Sequence, residues 1–219
     1  MHSLFIKIKY FLNIKIYSWH YCKLCGILNG KLICNDCFSI LSKVALDIIP
    51  VTDNWFFDKL YPSFVYQNPL PKVLHKFKYG KNLSLSWSLG YLLYSNLKNL
   101  DMDSIDYIIP VPIHPLKKKK RGFNQVLRML DYYIAYSNKI PVRLDIVSKT
   151  RQSHTQVNSS FSERVKNVYN TFQILKNVQN KRILIVDDVF TTGATVNELS
   201  RILKEAGATK VEIYCLMRV

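Results

Sequence analysis

No part of this 219-residue chain limits its possible folds as strongly as the segment Arg182–Thr195. Its apolar run, Ile183–Val186, predicts a buried strand, and the pattern after Thr195 predicts a helix with one apolar face. The residues of that face are Val196, Leu199, Ile202, Leu203 and Ala206. A buried strand that turns directly into an amphipathic helix is typical of an α/β fold with a mostly parallel sheet.

The polar residues between this strand and this helix predict a site for a sugar phosphate. The first N–H groups of a helix have no partner within the helix, and the helix dipole favours an anion there. Hydroxyls would add donors, and a glycine lets the backbone approach the ligand. The predicted phosphate loop comprises Thr191, Thr192, Gly193, Ala194 and Thr195. Asp187 and Asp188 would then lie beside the sugar hydroxyls. The alternative is a simple helix cap, which explains one polar residue but not two carboxylates and three threonines.

This segment resembles the signature that binds phosphoribosyl pyrophosphate (PRPP) in type I phosphoribosyltransferases. The shared pattern is an apolar strand, an acidic pair and Thr-Thr-Gly-x-Thr. The resemblance implies that Asp187 and Asp188 hold the ribose hydroxyls, with magnesium nearby, and are the catalytic candidates. It also implies that residues 191–195 cradle the 5′-phosphate.

The second half of the chain alternates predicted strands and helices, which indicates a mostly parallel sheet with helices on both faces. The predicted strands are Leu60–Tyr66, Asp106–Val111, Val142–Val147 and Lys210–Met217, and the predicted helices are Pro69–Lys78, Leu83–Leu97 and Asn124–Tyr136. Ligands bind such sheets at the C-terminal ends of the strands. The phosphoribosyltransferase resemblance therefore implies a pyrophosphate loop at Pro112, Ile113 and His114.

Four cysteines form two Cys-x-x-Cys pairs, at Cys22 and Cys25 and at Cys34 and Cys37. Two such pairs predict a small ribbon that holds one structural zinc ion through four thiolates. Two disulfides or a redox pair are the alternatives. The chain shows no secretory signal, which favours reduced thiols. The fifth cysteine, Cys215, lies in an apolar stretch and is predicted to be an inert core residue.

The formal net charge of +16 indicates a polyanionic partner: nucleic acid, an acidic membrane surface or a phosphate-rich ligand. A scattered, solvated charge is the alternative. The candidate contacts for nucleic acid are Lys78, Lys117, Lys118, Lys119, Lys120, Arg121 and Arg151. Phe77 and Tyr79 lie among cations and could stack on single-stranded bases, or could belong to the end of an amphipathic helix. The run Lys117–Arg121 could instead be a solvated face or contact the pyrophosphate.

Further motifs resemble those of the ComF family, whose layout also includes a four-cysteine ribbon. These motifs are Arg121–Gln125 after a Pro-x-Pro strand end, Thr155-Gln156, Glu163-Arg164 and Asn167-Val168, ending near Phe172. The resemblance implies a cytoplasmic protein of natural competence that handles single-stranded DNA after uptake, together with other competence proteins.

We therefore expect a ribbon module over residues 1–45 and a phosphoribosyltransferase-like domain over 46–219, with a hood at 46–100 and a PRPP-binding core at 101–219. Charges interrupt every apolar run of Met1–Tyr17, so this segment is not expected to span a bilayer. It could pack beside the ribbon or lie on a membrane surface. Three functions remain open: a competence protein that binds PRPP and DNA, a phosphoribosyltransferase with an unidentified acceptor, and a PRPP-sensing module.

Overall fold

A computed structural model describes residues 21–28, 30–41, 55–80, 82–137, 139–151 and 168–219. Its helices are α1 (Asn35–Ser39), α2 (Leu70–Tyr79), α3 (Leu85–Leu97), α4 (Pro115–Arg121), α5 (Gln125–Tyr136) and α6 (Ala194–Glu205), with a 3-10 turn at Met102–Ser104. Its strands are β1 (Lys59–Val65), β2 (Tyr107–Pro110), β3 (Val147–Lys149), β4 (Phe172–Ile174), β5 (Arg182–Phe190) and β6 (Lys210–Arg218).

The main sheet has four strands in the order β1-β6-β5-β2, and every neighbouring pair is parallel. Because its strands are parallel, their C-terminal ends meet at one edge. The predicted parallel sheet is confirmed. β3 and β4 form a separate antiparallel pair.

Helices cover both faces of this sheet, as predicted. Alternate strand residues such as Phe64, Leu184 and Tyr214 face α2, α3, α5 and the cysteine segment. The intervening residues, such as Ile185 and Ile213, face α6 and the β3–β4 pair. A sheet buried on both faces explains why β5 and β6 are almost continuously apolar.

The close packing of α3 on α5 depends on one glycine. A Cβ added at Gly90 would lie 2.5 Å from the backbone oxygen of Met129 and 2.7 Å from Cβ of Tyr132. Any side chain at this position would force the two helices apart. Trp87 and Tyr91 then contact the ring of Tyr132 from the neighbouring turns of α3.

Two segments between β2 and β4 differ from the sequence-based expectations. The run Lys117–Arg121, to which no helix or strand was assigned from the sequence, forms most of α4, which begins at Pro115 and is followed by Gly122 in a left-handed conformation. The predicted strand Val142–Val147 is wrong over most of its length. Val142 makes only an isolated bridge to Ile108, and the strand β3 begins at Val147. Arg143 and Asp145 bind each other there instead of extending the sheet.

Several predicted features lie outside the described residues. They are the segment Met1–Tyr17 and the motif residues Thr155, Gln156, Glu163, Arg164 and Asn167. Among the helices of the described ranges, none combines the length and the apolar character that crossing a bilayer requires.

Candidate functional site

The acidic pair Asp187 and Asp188 lies toward the C-terminal end of β5, between β2 and β6. The backbone N–H of Asp188 donates a 2.8 Å hydrogen bond to Oδ1 of Asp187. Lys78, in the last turn of α2, places its Nζ 2.8 Å from Oδ2 of Asp188. Asp188 is only 5% exposed, so this ion pair is largely shielded from water. The site thus joins two adjacent carboxylates to a cation from a distant part of the chain.

The surroundings disfavour the ionised form of Asp187. Burial and the neighbouring Asp188 carboxylate raise the pKa of Asp187 to about 7, although the Asp188 N–H, Lys78 and Lys149 oppose the shift. A carboxylate in this state is stabilised by an added cation or by further hydrogen-bond donors. Carboxylate oxygens are also the ligands that magnesium prefers. The donor set therefore fits a hard divalent cation or a ligand that carries hydroxyl groups.

The predicted phosphate loop, residues 191–195, connects β5 to α6. Together with Asp187, Val189 and Phe190 it lines a shallow surface concavity. α6 begins after Gly193, which has a φ of 70°, and no side chain caps the helix. The simple-cap alternative is therefore not what the structure shows. The start of a twelve-residue helix next to three threonines suits an anionic group.

Aromatic side chains support this loop from beneath, which the sequence did not reveal. A Cβ added at Gly193 would lie 2.5 Å from the Phe190 ring and 2.6 Å from the Trp55 ring. Trp55 also packs on Phe57, and the Phe56 N–H donates a 2.7 Å hydrogen bond to Oδ1 of Asn197 in α6. Glycine is needed here for its positive φ and for the close approach of these rings.

The predicted pyrophosphate residues Pro112, Ile113 and His114 connect β2 to α4, at the same edge of the sheet as the acidic pair. His114 precedes α4, and its Nδ1 accepts a 3.2 Å hydrogen bond from the N–H of Leu116. His114 therefore caps the N-terminus of α4, and its predicted contact with pyrophosphate stays a prediction. Asn124 fixes the adjoining chain by donating from Nδ2 to the carbonyl of Val111 at 3.0 Å.

The cations of α4 divide into two groups. Lys118, Lys119 and Lys120 are exposed. Lys117 is partly buried, and burial lowers its pKa, with Arg121 and Lys78 adding to the shift. Arg121 lies with its guanidinium carbon 5.3 Å from the centre of the Tyr79 ring. α4 therefore places one partly buried lysine near Lys78 and Lys149 and three lysines toward solvent.

A further lysine near the acidic pair was not singled out from the sequence. Lys149 ends β3, and burial together with the positive charge of Lys117 lowers its pKa to about 8, while Asp187 opposes the shift. Its ammonium also lies 4.9 Å from the centre of the Phe172 ring. Arg151, which was singled out, is exposed two residues further along. The only available signal for Lys149 was its position at the end of a strand.

The predicted role of Phe77 as a stacking platform is wrong. Phe77 has no exposed surface and packs on the Phe123 ring with the ring centres 5.0 Å apart. A ring enclosed in the core has no face free for a base. Tyr79, in contrast, is 64% exposed and packs against His75 and Arg121.

The four cysteines of the two pairs form one cluster, as predicted. The Sγ atoms of Cys22, Cys25, Cys34 and Cys37 all lie within 4.8 Å of one another. Cys25 Sγ and Cys34 Sγ are 3.7 Å apart, which is too far for a disulfide. It is close to the edge of about 3.8 Å expected for a tetrahedron with zinc–sulfur bonds of about 2.3 Å.

Backbone N–H groups point at these sulfur atoms. Cys34 N–H donates to Sγ of Cys22, and Cys37 N–H donates to Sγ of Cys34, both at 3.3 Å. Burial opposes ionisation of Cys22, but hydrogen bonds from backbone groups such as that of Cys34 lower its pKa to about 6. The cluster shares a hydrophobic core with the sheet, and the Phe38 ring contacts Phe64 of β1. The cluster can therefore hold a metal ion against the rest of the fold.

Comparison with known proteins finds a matching family model, related sequences and similar solved structures. A family model described as phosphoribosyl transferase domain matches residues 124–219. Competence protein F of Haemophilus influenzae is 29% identical over 168 residues, which span 74% of this chain and 73% of that protein. The DNA utilization protein YhgH of Escherichia coli O6:H1 is 32% identical over 159 residues, spanning 70% and 69%. The purine phosphoribosyltransferase from Pyrococcus horikoshii Ot3 aligns with 60% of this chain and 73% of its own, at 22% identity and a TM-score of 0.38.

The parallel sheet and the matched domain define a phosphoribosyltransferase-type α/β fold, joined here to a four-cysteine module. Within that class, the relatives and the cysteine cluster identify the family. The chain belongs to the ComF family.

Proposed function

We propose that this chain binds PRPP together with magnesium at the acidic pair and the phosphate loop, and that it acts in natural competence. The observation that carries the proposal is the juxtaposition of Asp187 and Asp188 with a helix start that no side chain caps. One part of the site suits a cation and sugar hydroxyls, and the other suits a phosphate. PRPP offers all of these groups in one molecule.

The residues have distinct roles in this proposal. Asp187 and Asp188 accept hydrogen bonds from the ribose hydroxyls and hold magnesium, which neutralises the charge of the pyrophosphoryl group. The N–H groups at the start of α6 and the hydroxyls of Thr191, Thr192 and Thr195 donate to the 5′-phosphate. Trp55 and Phe190 keep this loop in place from below.

A thermal-shift experiment tests the binding site. PRPP with magnesium should raise the melting temperature of the wild type, because a ligand that binds only the folded state stabilises it. Asp187→Asn combined with Asp188→Asn should lose that shift while remaining folded. Asp131→Asn, a change on the far helix α5, is the control and should keep the full shift. Equal shifts in all three proteins would refute the assignment.

For the role in competence, we propose that single-stranded DNA binds the exposed cations of α4. The support is the charge of +16, the three solvent-facing lysines 118–120 and the exposed ring of Tyr79 beside Arg121. Phosphates would contact the cations, and a base could stack on the tyrosine. The names of the relatives, competence and DNA utilization proteins, point in the same direction.

A salt titration with labelled single strands tests this surface. Changing Lys117–Lys120 to Gln should weaken binding and flatten the dependence of log Kd on log salt by about 0.7 for each phosphate that the variant no longer neutralises. The control variant changes four exposed lysines elsewhere, Lys72, Lys98, Lys139 and Lys176, and has the same net charge. If both variants bind more weakly by the same factor, the charge is diffuse and α4 is not the interface. Tyr79→Ala should cost about 1–3 kcal/mol without altering the salt slope.

The second candidate is an active phosphoribosyltransferase. It is favoured by Lys78, which pairs with Asp188, and by Lys149, which lies near Asp187, with Lys117 close to both of these lysines. In this reaction an acceptor nitrogen would attack C1 of PRPP, the bond from C1 to the pyrophosphate oxygen would break, and pyrophosphate would leave with both electrons. The N–H proton of the acceptor would pass to water or to the departing pyrophosphate. The lysines would stabilise the departing anion. Release of pyrophosphate from PRPP with a panel of nucleobase acceptors tests this activity, and the Asp187→Asn, Asp188→Asn variant is the negative control.

We also propose that the four-cysteine cluster holds one structural zinc ion. All four ligands come from protein, as in closed structural sites. With three of the cysteines buried, the ion would link the segment around Cys22 to α1 and the core.

A further inference from the structure

The Lys78–Asp188 ion pair joins the predicted hood to the PRPP site. α2 is held in place by its buried face, which comprises Leu70, Val73, Leu74 and Phe77. Lys78 follows directly after Phe77, so its backbone position is fixed by core packing. Its side chain is 18% exposed and its Nζ lies 2.8 Å from Oδ2 of Asp188. The packed helix α2 thus places a cation beside a carboxylate that belongs to β5.

The ammonium of Lys78 lies on Oδ2 of Asp188, an oxygen that a metal ion could also use. A divalent cation on the same carboxylate oxygen would be adjacent to the positive charge of Lys78, and like charges at such separation repel strongly. The two cations therefore compete for Asp188. Lys117 nearby and Lys149 beside Asp187 raise the local positive charge further, and make binding of a bare metal ion still less favourable.

A ligand that carries phosphate changes this balance. Lysine has a flexible four-carbon stem and three donors, so its ammonium can move between neighbouring anions. When a phosphate enters together with the metal, it supplies a new anionic partner for Lys78. The same side chain that opposes the metal alone then favours the complete metal–phosphate ligand.

We propose that Lys78 is an exchangeable occupant of the carboxylate site, bound to Asp188 in the free protein and transferred to the pyrophosphoryl group when magnesium and PRPP bind. The inference rests on the proposed PRPP site and adds a means of ordered binding. Lys78 makes the site reject a divalent cation that arrives without PRPP. It is a positioning and selectivity residue supplied by α2.

The exchange predicts that one substitution at Lys78 changes the affinities for Mn²⁺ and for PRPP in opposite directions. Lys78→Met removes the charge and keeps the aliphatic stem. Lys76→Met, on the exposed face of the same helix, is the control. Mn²⁺ alone is titrated first, with water proton relaxation or electron paramagnetic resonance as the readout. PRPP is then titrated by calorimetry at saturating magnesium. Lys78→Met should bind Mn²⁺ about three- to tenfold more tightly, and PRPP about three- to tenfold more weakly, than the wild type.

The remaining outcomes decide against the exchange. If Lys78→Met weakens both ligands, Lys78 merely supports the site, and if it alters neither, the ion pair is incidental. Lys78→Arg keeps the positive charge, so it should retain the low Mn²⁺ affinity of the wild type. This variant tests the exchange even if Lys78→Met folds poorly. Tighter Mn²⁺ binding by the arginine variant would contradict competition between charges. A wild type that fails to bind PRPP would remove the proposed function and this inference with it, whereas PRPP binding without the opposite signs would remove the inference alone.

Discussion

The acidic residues at the two ends of the main sheet have different surroundings. At the N-terminal ends of the strands, Glu212 accepts from the Tyr61 hydroxyl at 3.0 Å and pairs with Lys210 at 2.8 Å. Asp58 accepts from the Val211 N–H at 2.7 Å and pairs with Lys204. Asp106 likewise accepts from the Arg182 N–H at 2.8 Å. Each of these carboxylates connects neighbouring elements of the fold.

At the C-terminal ends, two carboxylates are adjacent in sequence and repel each other. Asp188 has the ammonium of Lys78, and the pKa of Asp187 rises to about 7 through burial and the Asp188 charge. Both ends of the strands carry carboxylates, and the difference is how fully neighbouring groups of the chain neutralise their negative charge. Acids that the chain itself neutralises stabilise the fold, whereas acids that it leaves partly uncompensated mark a site for something added from outside.

The cysteine cluster is the most extreme case of this contrast, and removing the zinc ion that we propose it holds should have the largest effect. Four cysteine sulfur atoms within 4.8 Å of one another can ionise together only if a cation neutralises them, and structural zinc sites contribute on the order of 10 kcal/mol of apparent binding energy. Cys22→Ser should therefore lose the zinc and unfold the segment around it. Cys215→Ala, in the core outside the cluster, should keep one zinc per chain. Metal analysis by mass spectrometry that finds no zinc in freshly reduced wild type would contradict this.

The next largest effect is expected at the opposite end of the sheet. Glu212→Gln removes the charged partner of Lys210, whose side chain is 25% exposed, and should lower the free energy of unfolding by about 2 kcal/mol. Urea unfolding measures this loss. PRPP binding should survive, because the residue lies at the other ends of the strands. A variant as stable as the wild type would show that this ion pair does not stabilise the fold and would weaken the comparison.

A smaller effect concerns pH. Unfolded Asp187 ionises near pH 4, whereas its pKa in the folded chain is about 7. Between these values the folded state holds a proton that the unfolded state has released. This group therefore makes the free energy of unfolding fall as the pH rises from about 4 to about 7, and its contribution is constant above that.

Asp187→Asn removes this dependence. Relative to the wild type, the variant should gain about 1 kcal/mol or more between pH 5 and pH 7.5 in the absence of ligand, a gain that urea unfolding at several pH values can measure. Asp145→Asn is the control, because Arg143 lowers the pKa of Asp145 to about 2. Asp145 is then ionised in both the folded and the unfolded state above pH 5, so this substitution should leave the pH dependence between pH 5 and pH 7.5 unchanged. Parallel pH profiles for wild type and Asp187→Asn would contradict the elevated pKa.

The sequence predicted those features that depend on neighbours along the chain. The run from β5 through residues 191–195 into α6 has its own periodicity, and the cysteine pairs have their own spacing. Even there, β5 continues to Phe190, so the acidic pair lies within the strand and not after it. α4 was missed because a run of lysines carries no apolar periodicity. Its start depends on Pro115 and on the capping contact of His114.

What the sequence could not provide are pairings between distant elements. Lys78 and Asp188 are far apart in the chain, and nothing local distinguishes Lys78 from the exposed Lys76 two residues before it. Lys149 reaches the site only because β3 pairs with β4 in a second sheet. Phe77 was misjudged for the same reason: its cationic neighbours suggested a surface, but helix periodicity and the Phe123 ring place it in the core.

The most direct test of the account is a calorimetric titration of PRPP, at saturating magnesium, into the wild type, Glu212→Gln and the Asp187→Asn, Asp188→Asn variant. We predict that one PRPP binds per chain in the wild type and in Glu212→Gln, and that binding is lost in the double variant while its unfolding remains cooperative. Binding of PRPP by the double variant with the affinity of the wild type would contradict the claim that the uncompensated acids at the C-terminal ends of the strands form the ligand site.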